Sequence, residues 1–192
     1  VALVTGASSG LGRAAASTLV KAGARVVGLA RRADALKDWR REAGGETAVL
    51  AADLSADADI QALAAKASET FGPPDILVNA AGLNLRQPAD AVTREGCERT
   101  IALNLTVPFF LAQALVPAMR KKRWGRIVNF ASLQSRRAFA NGIAYGASKG
   151  GVEQLTRALA QAWSADGINA NALAPGFFPT ELTGPVFADP AV

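Results

Sequence analysis

Short apolar runs alternate with helix-length amphipathic stretches along this chain: Val1 to Val4, Arg25 to Ala30, Thr47 to Ala51, Ile76 to Val78, Arg126 to Phe130 and Asn169 to Ala174. A strand that must cross over through a helix before the next strand ends up parallel to it. ALV and RIVNF are short continuous runs, which suits strands covered on both faces. Between them, the stretch from Asp57 to Phe71 carries apolar residues at helical spacing. The expected fold is a doubly wound parallel α/β sheet over a single domain, residues 1–192, with no internal repeat or linker to divide it.

Composition narrows the chemistry. Among 192 residues there is one cysteine and no histidine. Ser-His hydrolases, thiol proteases and the common zinc sites all need histidine, so no metal is expected. Cys97 has no partner within the chain and reads as a small, partly buried residue of a reducing, cytoplasmic compartment. No run of about 18 uninterrupted apolar residues occurs and no basic segment precedes an apolar start, so neither a membrane span nor a signal peptide is expected. The net charge of +5 raises the question of a nucleic-acid partner. The basic residues are dispersed, however, without a basic helix or an aromatic-interleaved patch, and no nucleic-acid role is expected. The run Arg120, Lys121, Lys122, Arg123 reads as solvation of a helix C-terminus.

The first strand leads into Thr5, Gly6, Ala7, Ser8, Ser9, Gly10, Leu11 and Gly12. Glycines at spacings of four and two allow the backbone close to a pyrophosphate, and the helix that follows offers free N–H groups to the same anion. This is the Rossmann-like arrangement for a dinucleotide. At the end of the second strand, where an acidic residue commonly binds the ribose hydroxyls, the chain has Ala30, Arg31 and Arg32. Guanidinium groups there favour a 2′-phosphate, so NADP(H) is the expected cofactor and NAD(H) the alternative; two solvated loop arginines are the plainer reading. Asp53 is either an acceptor for the adenine amino group or the cap of a helix from Leu54 onward.

Tyr145 precedes Lys149 by four residues, and Ser132 lies upstream of both. On a helix four residues turn through about 400° and rise about 6 Å, so phenol and ammonium become neighbours on one face. A nearby cation favours phenolate and would bring proton transfer at a substrate oxygen toward neutral pH.

In order, TGASSGLG, Asp53-Leu54, NAAG at Asn79 to Gly82, Asn104, Ser132, YGASK from Tyr145 to Lys149, and Pro175-Gly176 before Thr180 resemble the short-chain dehydrogenase/reductase family over the whole chain. The resemblance implies a nicotinamide-dependent oxidoreductase that interconverts a secondary alcohol and a ketone. It implies that Tyr145 is the acid/base, that Lys149 holds the nicotinamide ribose and lowers the Tyr145 pKa, and that Ser132 bonds the substrate oxygen. Asn104 would anchor a proton-relaying water. Gly6, Ser8, Ser9, Gly10, Leu11 and Gly12 would hold the phosphates, Asp53 and Leu54 the adenine, Asn79, Ala80 and Gly82 the adenosine ribose, and Pro175, Gly176 and Thr180 the carboxamide. Ala80 stands where the family usually has a second asparagine.

The segments NLRQP, SLQS and APGFFPTELT are similar to those of gluconate 5-dehydrogenases and related sugar-acid dehydrogenases. Arg86 would pair with a substrate carboxylate and Gln134 with sugar hydroxyls, with Arg136 and Arg137 as further candidates. A 3-oxoacyl-thioester reductase served by an acidic carrier protein, and a nucleotide-binding protein without catalysis, are the alternatives. Phe109, Phe110, Leu155, Leu159 and Trp163 give the long helices more apolar surface than one sheet contact needs, so a homodimer or homotetramer is expected. Both ends read as cut: Val1 already lies in a strand, Gly184 to Val192 trails off, and the resemblance implies a further helix and last strand.

Overall fold

The computed structural model describes residues 1–54 and 58–184. The elements follow in the order β1 (Ala2–Thr5), α1 (Gly10–Lys21), β2 (Val26–Ala30), α2 (Ala33–Ala43), β3 (Thr47–Ala51), α3 (Ile60–Glu69), β4 (Ile76–Asn79), α4 (Arg94–Ile101), α5 (Val107–Lys122), β5 (Gly125–Phe130), α6 (Ile143–Trp163) and β6 (Ile168–Leu173). All strands pair in parallel, in the order β3-β2-β1-β4-β5-β6. Because β1 pairs with both β2 and β4, the crossovers run in opposite directions on its two sides. That reversal opens a crevice beyond the carboxyl ends of β1 and β4, where Thr5 stands level with Asn79. The fold is the expected Rossmann-like one, with strand limits within a residue or so of those read from the sequence.

Alternation along each strand feeds two cores. Leu3, Leu29, Leu77 and Ile127 turn to the face covered by Leu111, Leu115 and Met119 of α5. Val4, Val26 and Val78 turn to the other face, where Leu36 and Trp39 of α2 are fully buried. The Trp39 indole N–H donates to Ser17 Oγ at 3.1 Å, so this large side chain is buried without an orphaned donor.

The structure corrects several sequence expectations. Helix α3 starts at Ile60, with Asp59 Oδ1 accepting from Ala62 N at 3.0 Å, so Asp53 is not its cap. Asp57, the expected start of that helix, and residues 185–192 of the trailing segment lie outside the described residues. The basic run at the end of α5 ties the helix down rather than merely solvating it. Arg120 Nε bonds Asp166 at 2.6 Å, Lys122 Nζ bonds Asp75 at 2.5 Å, and Arg123 donates to Ala165 O at 3.0 Å. The C-terminal carbonyls still gain from these charges, but distant acidic groups position them.

Helices α4 and α5 join through a π-helical turn, Ala102–Thr106, into one run from Arg94 to Lys122. By length and composition this run is apolar enough to cross a membrane, although Asn104, Thr106 and Gln113 interrupt its apolar residues. Leu111, Leu115, Val116 and Met119 of this run fill the core while Phe110 is exposed, and the polar Asn104 is buried within the π turn.

Candidate active site

A cleft of about 570 Å³ runs along the carboxyl ends of β1, β2, β4 and β5. Its floor begins at the loop between β1 and α1. Gly6 has φ +72°, and a Cβ placed on Gly12 would lie 2.4 Å from Gly6 O and 2.7 Å from Gly6 C. The loop can therefore close this tightly only around glycine. We expect Gly12→Ala to cost about 1–3 kcal/mol by overpacking and to push the loop outward; a denaturant midpoint equal to that of the parent would contradict this.

Helix α1 begins at this loop with Ser9 as N-cap, without a side-chain cap bond and with no acidic residue in its first turn. Its free N–H groups and positive end are thus available to an anion. Thr5 Oγ1 fixes the opposite wall by accepting from Ala80 N and Ala81 N, each at 3.1 Å. A loop closed tightly on glycine, an uncapped helix start and an open wall of Ala80, Ala81 and Gly82 fit the pyrophosphate and ribose of a dinucleotide.

Beyond the ends of β2 and β3 the cleft is lined by Arg31, Arg32, Asp53 and Leu54. Arg32 makes a bidentate pair with Glu181, Nη1 to Oε1 at 3.1 Å and Nη2 to Oε2 at 2.9 Å, and Nη2 also reaches Ser9 Oγ at 2.7 Å and Ser8 Oγ at 3.3 Å. The Arg32 guanidinium holds the Glu181 carboxyl below its usual range.

At the other end stand Ser132, Gln134, Tyr145, Lys149 and Arg86. Ser132 caps a short turn: Gln134 N donates to its Oγ at 3.1 Å, while Ser132 N donates to Ser135 Oγ at 3.3 Å. Ser135 Oγ in turn donates to Lys149 O at 2.8 Å, fastening the turn to α6. This holds the Ser132 hydroxyl beside the Tyr145 phenol, close enough to favour its ionised form. Burial pushes the Tyr145 phenol above its ordinary value, while the Ser132 hydroxyl and the positive charge of Arg86 act the other way. Lys149 Nζ lies 5.6 Å from the centre of the Tyr145 ring and donates to Phe130 O at 2.5 Å. Burial lowers the Lys149 pKa to about 8. The expectation that the lysine charge depresses the phenol is thus not met in the protein alone: desolvation dominates both groups.

Two expected site residues lie behind the cleft rather than in its lining. Asn79 is buried and donates to Asn129 Oδ1 at 2.8 Å, which ties β4 to β5. Asn104, also buried, accepts from Leu83 N at 2.9 Å and donates to Leu83 O and Ser148 Oγ, each at 3.0 Å. Ser148 then donates to Tyr145 O at 2.7 Å. A Cβ on Gly82 would fall 3.2 Å from Asn104 Oδ1 and 3.7 Å from Lys149 Nζ, so all three converge. Ser148 and Ser135 are supports that sequence reasoning did not single out. Ser148 had a signal, three residues after Tyr145 on one helix face. Arg136, offered as a substrate residue, is instead bound to Glu153 on α6.

The sequence profile of the short chain dehydrogenase family matches residues 1–191. The chain belongs to this family. Short-chain dehydrogenases are NAD(P)-dependent oxidoreductases of CH–OH groups, and this chain is an enzyme of that kind. It is 38% identical to gluconate 5-dehydrogenase of Gluconobacter oxydans over 98% of this chain and 75% of that protein. It is 36% identical to a 3-oxoacyl-[acyl-carrier-protein] reductase of Salmonella typhimurium, over 95% of this chain and 75% of that protein. Among solved structures, a gluconate 5-dehydrogenase from Burkholderia cenocepacia in complex with NADP and tartrate superposes with a TM-score of 0.90 at 34% identity, covering 99% of this chain and 76% of that one. Sugar-acid and acyl-thioester enzymes of the family are nearly equidistant from this chain, so membership carries the class of reaction and not the substrate.

Proposed function

We propose that this short-chain dehydrogenase oxidises a secondary hydroxyl of a sugar acid of the gluconate class, or reduces the corresponding keto acid, with NADP(H). The observation that carries the substrate class is Arg86. It stands at the cleft with its charge acting on the Tyr145 phenol, in a left-handed backbone conformation with φ +51° that a non-glycine residue rarely adopts. A guanidinium beside the reacting hydroxyl suits a substrate whose carboxylate is close to its carbinol carbon. Gln134, in the same lining, supplies an amide for further hydroxyls.

Arg31 and Arg32 at the adenosine end support NADP over NAD, because a carboxylate in their place would repel the 2′-phosphate. When bound, the nicotinamide supplies the acceptor or donor of hydride. In the oxidative direction Tyr145 takes the proton of the substrate hydroxyl, and in reduction it returns one to the carbonyl oxygen. Ser132 bonds the same oxygen and steadies the charge that grows there. Lys149 holds the nicotinamide ribose, and Asn104, near Lys149, positions the water that carries protons away.

Arg86 gives this reading a pH signature. Its charge lowers the Tyr145 pKa, so Arg86→Gln lets the phenol rise further. The acid limb of kcat/KM for oxidation is expected to move to higher pH, and an unmoved limb would remove Arg86 from the site. The substrate class is tested by pairing each aldonate with its neutral polyol: Arg86→Gln should raise KM for the acid by about tenfold and leave the polyol unchanged.

A second reading rests on Phe139 and Phe177, whose rings meet edge-on at 5.8 Å beside the exposed Phe178. This apolar rim suits the acyl chain of a 3-oxoacyl thioester, and turnover of such thioesters in preference to keto acids would favour it. The proposed setting is a cytoplasmic homodimer or homotetramer. The single cysteine supports the compartment, and Phe110, exposed on α5, supports subunit pairing.

A further inference from the structure

We propose that Glu181 is a specificity-determining residue that competes with the cofactor's 2′-phosphate for Arg32, so that the two-pronged pair closing the cleft must open before a phosphorylated nucleotide can seat. The inference rests on the reading of Arg32 as a phosphate ligand.

The Arg32 fork presents Nη1 and Nη2 to the two carboxylate oxygens of Glu181, and Nη2 is at the same time anchored to Ser8 and Ser9 of the phosphate loop. A phosphate and a carboxylate use the same planar fork, and one guanidinium edge cannot serve both. Glu181 therefore stands in the protein alone where the 2′-phosphate would bind. Its negative charge would also repel that phosphate if it stayed. A nucleotide with a plain 2′-hydroxyl needs no such displacement.

The pair bridges two parts of the cleft wall. Glu181 sits in the segment after β6 that supplies Pro175, Gly176, Phe177, Phe178 and Leu182 to the lining. Arg86 holds the same segment by donating to Leu182 O at 3.3 Å. Releasing Arg32 thus frees one tie on this wall, and the wall also faces the substrate end. Both side chains of the pair are largely exposed, at 51% and 65%, so the latch is weak enough to open. A surface pair of this kind biases an equilibrium by up to about fivefold.

The test is calorimetric binding of 2′,5′-ADP, NADP, 5′-AMP and NAD to the parent, Glu181→Gln and Arg32→Ala proteins. Glu181→Gln is expected to bind 2′,5′-ADP and NADP about fivefold more tightly, with 5′-AMP and NAD unchanged. Equal tightening of both pairs, or no tightening of the phosphorylated pair, would overturn the competition. Arg32→Ala separates this from the underlying reading. If it weakens 2′,5′-ADP by tenfold or so while Glu181→Gln changes nothing, only the latch is wrong. If Arg32→Ala leaves 2′,5′-ADP binding intact, the assignment of the phosphate to Arg32 falls, and the latch with it.

Discussion

Replacing Tyr145 by Phe is expected to lower kcat by roughly 10²–10⁴-fold while changing NADP affinity by no more than about twofold. The phenol is placed for the task by contacts made elsewhere on its helix. Ser148 bonds the Tyr145 carbonyl, and the Ser132 hydroxyl lies beside the phenol itself. Phenylalanine preserves the ring and the burial, so only the transferable proton and the contact with Ser132 are lost. Steady-state kinetics with a parallel binding titration separates the two effects. A variant that keeps near-normal kcat would move the acid/base role away from Tyr145. One that loses NADP binding would show that the phenol holds the cofactor rather than the proton.

Lys149→Met is expected to trade activity for stability. Burial lowers the Lys149 pKa from 10.5 to about 8, so at pH 7 the folded protein carries a buried ammonium that the unfolded chain would hold in water. A shift of that size corresponds to a folding cost of about 3 kcal/mol. The sign follows from the lowered pKa: the cost is complete below pH 8 and disappears as pH rises toward 10.5. Methionine removes the charge and keeps the length, but it orphans Phe130 O, which accepts from Nζ. That loss takes back about 1 kcal/mol or more. Thermal melts of the cofactor-free protein should therefore rise by a few degrees at pH 7. The gain should vanish near pH 10, where the parent lysine is mostly neutral. The same variant should bind NADP less tightly and turn over little, since Lys149 is assigned to the nicotinamide ribose. A lower melting temperature at pH 7 would contradict the account of this residue as a destabilising group kept for function.

The parallel sheet and its strand limits were legible because strands buried on both faces, such as β1 and β2, read as short apolar runs that can be placed without knowing their neighbours. The start of α3 was not, because the stretch before Ile60 offers Asp53, Asp57 and Asp59 as caps and local pattern does not rank them. The glycine loop and the Ser132, Tyr145, Lys149 set were readable from spacing and motif order, and the structure brings those three to one end of the cleft. What stayed hidden depended on distance along the chain. Arg32 and Glu181 are 149 positions apart, and Lys122 and Asp75 are 47 apart. The raised pKa of Tyr145 was hidden for a different reason: spacing puts Lys149 on the same helix face but does not show the burial that raises the phenol.

The most direct test of the central claim is transfer of a labelled hydride. The protein would be incubated with NADPH deuterated at its transferable position and a panel of keto-sugar acids, with the products read by NMR. Deuterium on the carbinol carbon of a sugar-acid product, absent with Tyr145→Phe, is the predicted result. Bound NADPH that delivers deuterium to none of the keto acids, while 3-oxoacyl thioesters take it up, would contradict the assigned substrate class.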